Sequence, residues 1–441
     1  MPTIPLSDYA ERRATLLKQL APNSIALFFA APEIHLSADR EATYCPDPDF
    51  YYLSGFKEPN AVLVFIPHRP EGEFVMFCQT RDPAAEQWVG RRSGIEGAVA
   101  VYGATQAFPI ESLAQQLPEL LTNRQKIYYA FGSKPAIDAQ ILTNVQQLRR
   151  KVRAGIEAPI EIINVESIVH EMRLIKSANE IAILHQAASI SAQAHIRAMQ
   201  VCQPGMNEYQ LRAELDYTFL RNGCSGPAYG SIVGGGDNAC ILHYTENNRV
   251  LNDGDLVLID AGGELHGYAS DITRTFPING RFSDEQKAIY DLVLKAQLAV
   301  IDMIKPGLIW NTMQDKIVEI FIEGLVELGI LTGNIANLIQ AQAHLPFYMH
   351  KSGHWLGLDT HDVGQYRLDN QWRPLQANMV LTVEPGLYIS ANTPHVDPKW
   401  YGIGVRIEDD VVVTKTGCLV LSADAPKTID AIEALMAMSV H

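Results

Sequence analysis

The sequence predicts an α/β N-terminal domain followed by an α+β C-terminal domain with a pseudo-two-fold internal repeat, and three observations predict it. Short apolar runs bounded by Pro, Gly and Asp fill the first part of the chain, as strands of an α/β sheet do. At Ser177-Ala-Asn-Glu180 a capping-box pattern opens a long apolar-periodic helix, after which helices alternate with hairpin-like segments. The third observation is an internal echo: Leu256-Val-Leu-Ile-Asp-Ala-Gly262 can be laid on Val380-Leu-Thr-Val-Glu-Pro-Gly386. Each is an apolar strand, a carboxylate at its end and a glycine two residues on. A length of 441 residues exceeds one ordinary core. The boundary is placed so that 1–172 form the first domain and 173–441 the second.

Taken in order, PLSDYAERRATLLKQL has helical spacing of charged and apolar residues. SIALFFAA (24–31), FYYLSGF (50–56), AVLVFIP (61–67) and FVMFCQ (74–79) read as strands, with helices near 110–122 and 136–150. The segment 151–177 mixes strand and helix signals, which is where the boundary falls. Beyond the capped helix, further helices are predicted at about 206–222, 284–304 and 311–328, and strands near 230, 240, 256, 270, 347, 380 and 405.

Composition narrows the function. A net charge of −15 argues against a phosphate-tracking surface, which needs clustered Lys and Arg, so no nucleic-acid partner is expected. Six scattered cysteines without a CxxC pair read as reduced thiols. No apolar run reaches the ~18 residues that span a bilayer, and the first helix is unlike the apolar core of a signal peptide. A cytoplasmic protein acting on a small molecule or peptide, with no membrane contact, is the expectation.

The chemistry begins in LIDAGGELHGYASDITR, residues 258–274. If this hairpin folds about its Glu264-Leu-His-Gly267 turn, Asp260 and Asp271 face each other with Cβ atoms roughly 4.5–5.5 Å apart. Like charges so placed repel, and partial burial makes the repulsion worse. A shared proton, a cation between them, or exposure of one Asp to solvent would each resolve it. Further ligand types follow downstream: His350, His354 and His361 in MHKSGHWLGLDTHDVG, Glu384 in LTVEPG, and Arg406 and Glu408 in GVRIEDD. HKSGH lacks the Glu of a zinc-helix HExxH motif and carries Gly353 where a helix would suffer, which disfavours that reading. Four carboxylates and one imidazole make a hard, oxygen-rich set with room for two divalent ions. Mn2+ suits it best, with Co2+ or Zn2+ as substitutes. Two such ions can hold a bridging water and lower its pKa, which is the equipment of a hydrolase.

The spaced set Asp260, Asp271, His354, Glu384 and Glu408, with ILHYTEN around His243, resembles the dinuclear-metal pita-bread peptidases. Methionine aminopeptidase, prolidase, creatinase and aminopeptidase P share that fold. SADREATYCPDPDFYYLSGFKEPNAVLVF and RDPAAEQWVGRR are similar to the N-terminal domain of the aminopeptidase P family, so the resemblance covers nearly the whole chain. It implies a pita-bread catalytic domain and hydrolysis of the bond between an N-terminal residue and a following proline by a metal-bridging hydroxide.

Residue by residue, the resemblance makes Asp260 a terminal ligand of one metal, Asp271 and Glu408 the bridging pair, and His354 and Glu384 the ligands completing the second. Glu384 would also shuttle the proton, and His243, His350 and His361 would bind substrate and stabilise the oxyanion. Arg406 would support the ligand shell. Tyr388, Trp88, Arg153 and Asp39 are candidate substrate-binding residues, with Trp88 and Arg153 reaching a neighbouring subunit's site in a dimer or tetramer. YRLDNQWRPLQANMV lacks the usual acidic-Pro-Gly lead into the Glu384 strand and Lys351 stands between two histidines, departures that leave the metal set intact. The rival readings are a prolidase restricted to Xaa-Pro dipeptides, which shares the ligands, and a non-enzymatic peptide-binding module, which would be expected to lose some.

Overall fold

In the computed structural model of the chain, which describes residues 1–438, two compact units separate: Ile4–Arg173, and Leu174 onward together with Met1–Thr3. The first is built on a mixed sheet in the order Gln106–Pro109, Phe74–Cys78, Val62–Phe65, Ser24–Phe29, Lys126–Tyr128, Glu161–Ile163. Ser24–Phe29 is antiparallel to Val62–Phe65 and parallel to Lys126–Tyr128. Every residue of Ser24–Phe29 is buried, which explains its unbroken apolar run. Ile25, Leu27, Val64 and Phe77 from the sheet pack with Leu117, Ile141 and Val145 from the helices Leu113–Leu121 and Pro135–Arg149.

FYYLSGF is a helix, Pro48–Ser54, where a strand was expected. Its ends decide the matter. The Asp47 carboxylate accepts from the Phe50 N–H, Pro48 occupies the first turn, and Gly55 closes the helix at φ 69°. Start and stop signals on both sides outweigh the strand preference of three aromatic residues.

The second unit is two halves of the same design. In the first, helices Ala178–Val201 and Glu208–Arg221 precede a hairpin of four pieces: Leu256–Asp260, Gly263–Leu265, Tyr268–Ala269 and Thr273–Pro277. In the second, helices Asp284–Met303 and Asn311–Glu327 precede Val380–Val383, Gly386–Ile389, Ile403–Arg406 and Asp409–Val413. Asp260 and Glu384 stand at the first break of each hairpin, and Asp271 and Glu408 at the second. This is the pita-bread architecture with its internal repeat. The capping box of Ser177 and Glu180 starts the first helix as read from the sequence.

The hairpin register differs from the expected one. Asp260 pairs with Thr273 and Leu265 with Tyr268, so the chain folds between His266 and Gly267, with φ of 53° and 87°. Positive φ at both central residues is the signature of a type I′ turn, which matches strand twist and so fixes the register. Asp260 and Asp271 are therefore not direct partners. A Cβ on Gly262 would meet the Ser270 carbonyl oxygen at 1.7 Å, so only glycine allows the hairpin to close beside Asp271.

Strands expected near 240 and 347 do not form. Gly236–Cys240 is a 3-10 turn entered through Gly236 at φ 57°, and the Phe347 N–H turns back to the His344 carbonyl at 2.8 Å while its carbonyl accepts from the Tyr388 N–H at 3.0 Å, with no ladder on either side. Among the described residues no helix is long and apolar enough to cross a membrane, and all six cysteines are free.

Candidate metal centre

The two hairpins meet where their breaks coincide. The Glu408 N–H donates to the Thr273 carbonyl at 3.1 Å, and Thr275 Oγ1 both donates to the Arg406 carbonyl and accepts from its N–H. The four carboxylates are thereby delivered to one cavity. It is lined by Leu242, His243, Asp260, Asp271, His350, His354, His361, Glu384, Arg406 and Glu408. The structure thus brings together every candidate metal and catalytic residue, while Tyr388 stands just behind them. Trp88, Arg153 and Asp39 belong to the other unit, where each is exposed, Trp88 to 89%.

His354 reaches the cavity on an extended segment. Its N–H donates to Thr382 Oγ1 at 3.1 Å and its carbonyl accepts from the Thr382 N–H at 2.9 Å, so residues 352–354 run along the strand Val380–Val383. No helix forms over HKSGH, as Gly353 foretold. A Cβ on Gly353 would lie 2.0 Å from the Thr382 carbonyl oxygen. Gly353→Ala is therefore expected to push His354 off its mark and lower kcat/KM by about 100-fold, with bound metal reduced. Steady-state kinetics beside metal analysis check this, and wild-type values for both would refute the strand-hugging geometry.

Tyr229 reconciles the two aspartates that are not register partners. Its hydroxyl reaches Asp260 Oδ1 at 2.6 Å and Asp271 Oδ1 at 2.5 Å, and its single proton is shared between them. The remaining Asp260 oxygen accepts from Arg406 Nη2 at 2.6 Å, and Asp271 Oδ2 lies 3.2 Å from His354 Nε2. Thr273 Oγ1 donates to Glu408 Oε2 at 2.7 Å and accepts from Arg406 Nε at 3.1 Å. Arg406 Nη1 donates to the Tyr388 hydroxyl, which in turn donates its O–H to His350 Nε2 at 2.8 Å. That leaves His350 Nδ1–H for the Lys351 carbonyl, a consistent neutral tautomer.

Electrostatics explain what the cluster demands. Burial, then repulsion from Asp271, Glu384 and Asp260, pushes the Glu408 carboxyl well above its ordinary range. Burial also raises Glu384, to about 7, and Asp260, the latter against the pull of Arg406. Burial and nearby Arg406 lower His350 to about 3. Burial works against a charged His354, yet its hydrogen bond to Asp271 and the nearby Glu384 lift it to about 9. Converging carboxylates short of positive charge are what a divalent cation offsets.

The donor set fits metal. Ligand atoms of Asp271, His354 and Glu408 lie within 4.8 Å of one another. His354 Nδ1 is engaged by the Trp355 carbonyl at 2.9 Å, which leaves Nε2 to face the carboxylates, as a ligating imidazole must. Asp260 and Glu384 extend the same wall, giving oxygen-rich coordination suited to hard cations.

Tyr229 and Thr273 were missed by sequence reasoning. Thr273 lies two residues past Asp271, so strand alternation was a usable signal for it; Tyr229 acts across 31 and 42 residues, which no local pattern reveals. A buried ion pair was missed as well. Lys176 Nζ donates to Asp362 Oδ2 at 2.7 Å, tethering the segment that carries His361.

Comparison with known proteins agrees with this geometry. Residues 182–415 match the model of metallopeptidase family M24, and residues 9–128 that of the aminopeptidase P N-terminal domain. The chain is 46% identical to the Xaa-Pro aminopeptidase of Escherichia coli (strain K12) over 437 residues, covering 99% of each. It is 45% identical to that of Haemophilus influenzae, covering 99% of this chain and 98% of the relative. The solved structure of Pseudomonas aeruginosa aminopeptidase PepP superposes with a TM-score of 0.98 at 53% identity, covering 99% of both chains. A metal-ready cavity in a repeated hairpin fold, in a chain aligned end to end with such relatives, leads to one assignment: the chain belongs to metallopeptidase family M24 and carries the N-terminal domain of the aminopeptidase P branch.

Proposed function

We infer that the chain is a metal-dependent Xaa-Pro aminopeptidase, hydrolysing the peptide bond between an N-terminal residue and a following proline. The convergence of Asp260, Asp271, His354, Glu384 and Glu408 on one cavity, in a chain matched over its length by Xaa-Pro aminopeptidases, carries this reading. We take residues 1–172 as the N-terminal domain and 173–441 as the catalytic one.

We propose two Mn2+ as resident ions, with Co2+ or Zn2+ as substitutes. Asp260 would hold one, His354 and Glu384 the other, and Asp271 and Glu408 both. Bound there, such a pair supplies Lewis acidity that lowers the pKa of a water and polarises the scissile carbonyl. Glu384 takes the proton of the attacking water and returns it to the departing proline nitrogen. His243 and His361 aim N–H groups at the carbonyl oxygen as it gains charge. Arg406 fixes Asp260 and Tyr388, and with them the wall behind the substrate. His350, uncharged and edged by Tyr348 and Tyr388, offers a ring face to the pyrrolidine. Proline has no N–H and a fixed φ, so a pocket must accept it by shape.

A homo-oligomer, dimer or tetramer, fits the bare Trp88 and Val89, exposed to 89% and 70%. In it Trp88 and Arg153 would serve substrate at a neighbouring subunit, and Asp39 is a further candidate for substrate contact. Six free thiols favour a reducing cytoplasm.

The test compares Xaa-Pro-Yaa tripeptides with Xaa-Pro dipeptides, with Mn2+ and after chelation. Tripeptide cleavage that a chelator abolishes and Mn2+ restores is expected. Cleavage of dipeptides alone would replace this reading with a prolidase, and indifference to chelation would end the metal assignment.

A further inference from the structure

We propose that Glu208 is a positioning residue for the reaction: a buried carboxylate outside the cavity that sets where the His243 ring stands. The proposal rests on the reading of His243 as a substrate-facing group. Glu208 is 0% exposed and lies at the first turn of the helix Glu208–Arg221. A carboxylate withdrawn from water is costly unless its oxygens are saturated with donors. Here they are. Oε1 accepts from the Gly235 N–H at 2.7 Å and Asn238 Nδ2 at 3.1 Å, and Oε2 from the Tyr244 hydroxyl at 2.7 Å and the Arg249 N–H at 2.8 Å.

All four donors belong to one segment, 235–249, which has no strand or α-helix of its own past Gly235. The carboxylate therefore substitutes for the backbone ladder this segment lacks. Asn247, 1% exposed and held at φ 49°, adds two further ties, to the Val233 N–H and the Ser231 carbonyl. Between these anchors lies His243. It lines the cavity, yet among the described residues its ring makes no hydrogen bond of its own. Its place is inherited from its backbone, and the adjoining Tyr244, 5% exposed, fastens that backbone to Glu208.

A ring held only through its chain is sensitive to whatever holds the chain, and misplacement of about 1 Å costs roughly 100-fold in rate. Glu208→Gln keeps the side-chain shape but turns one acceptor end into a donor facing donors. The expected result is a 10- to 100-fold loss of kcat/KM, roughly the misplacement range, with Mn2+ content unchanged. Amide exchange should quicken over 236–249 and not over 258–274.

The deciding measurement is a double-mutant cycle with His243→Ala. If Glu208 acts through His243, Glu208→Gln should cost less than about 3-fold once that ring is gone. An equal loss in both backgrounds, or loss of Mn2+ in Glu208→Gln, would overturn the proposal while leaving the role of His243 standing. Wild-type activity in His243→Ala alone would remove both. Should Glu208→Gln fail to fold, Tyr244→Phe, which deletes one of the four donors, carries the same cycle and must show the same dependence on His243.

Discussion

Asp260→Asn is expected to abolish turnover, lowering kcat/KM by at least about 100-fold, because even outer-shell partners of metal ligands cost 10–100-fold when removed. The substitution keeps volume and backbone, so Asp260 should still pair with Ile232 and Thr273. What changes is the charge and one acceptor oxygen, between the Tyr229 hydroxyl at 2.6 Å and Arg406 Nη2 at 2.6 Å. A neutral amide chelates a hard cation poorly, so metal content should fall with activity. The sign of the stability change separates this from simple misfolding. With chelator present, the variant removes a charge whose burial outweighs its attraction to Arg406, the carboxyl being raised despite that partner, and it should melt no lower than wild type. Saturating Mn2+ should then raise the wild-type midpoint, by an amount worth about 2.7 kcal/mol at a hundredfold excess over Kd, and leave the variant behind. Unchanged turnover would mean that the hairpin is misread.

Much of this site was legible in the chain because its candidate ligands come in short strings on two similar strands. An apolar strand ending in Asp260 or Glu384 announces itself locally, and alternation carries the eye to Asp271 and Glu408. The hairpin register was not so legible. It turns on His266 and Gly267 adopting positive φ, and a histidine in that position gives little warning. The helix Pro48–Ser54 was mistaken for a strand because its aromatic run spoke louder than the Asp47 cap, although Asp-Pro before it and Gly55 after it were readable signs. Tyr229 and Glu208 lay beyond reach for a different reason. Each is defined by partners far away in sequence, and only the closed repeat brings those partners to it.

Behind the ligands, Asp409→Ala is expected to be the most destabilising single change in the catalytic unit. Asp409 is 0% exposed and accepts from Arg274 Nη2 at 2.7 Å, Ser422 Oγ at 2.7 Å, Lys427 Nζ at 2.6 Å and Gln297 Nε2 at 2.6 Å. Arg274, also 0% exposed, spends its other N–H groups on the carbonyls of Thr273, Glu408, Ala425 and Pro426. One guanidinium thus ties the strand after Asp271 to the Asp409 side chain and to the backbone of Glu408. Replacing the whole network by apolar residues could be neutral, but deleting its anion strands a buried cation, which costs about 3–5 kcal/mol. That corresponds to a midpoint lowered by roughly 10 °C. Burial alone would raise the Asp409 carboxyl, yet Arg274 and Lys427 hold it down at about 2. Because the folded value is depressed, its stabilisation is complete above the unfolded value of about 3.9 and is lost as pH falls toward 2. The gap between wild type and Asp409→Ala should therefore be constant near neutrality and narrow in acid, as denaturant melts at several pH values can measure. A midpoint within about 1 °C of wild type at pH 7, far below the expected shift, would show that the two hairpins are held together by something other than this pair.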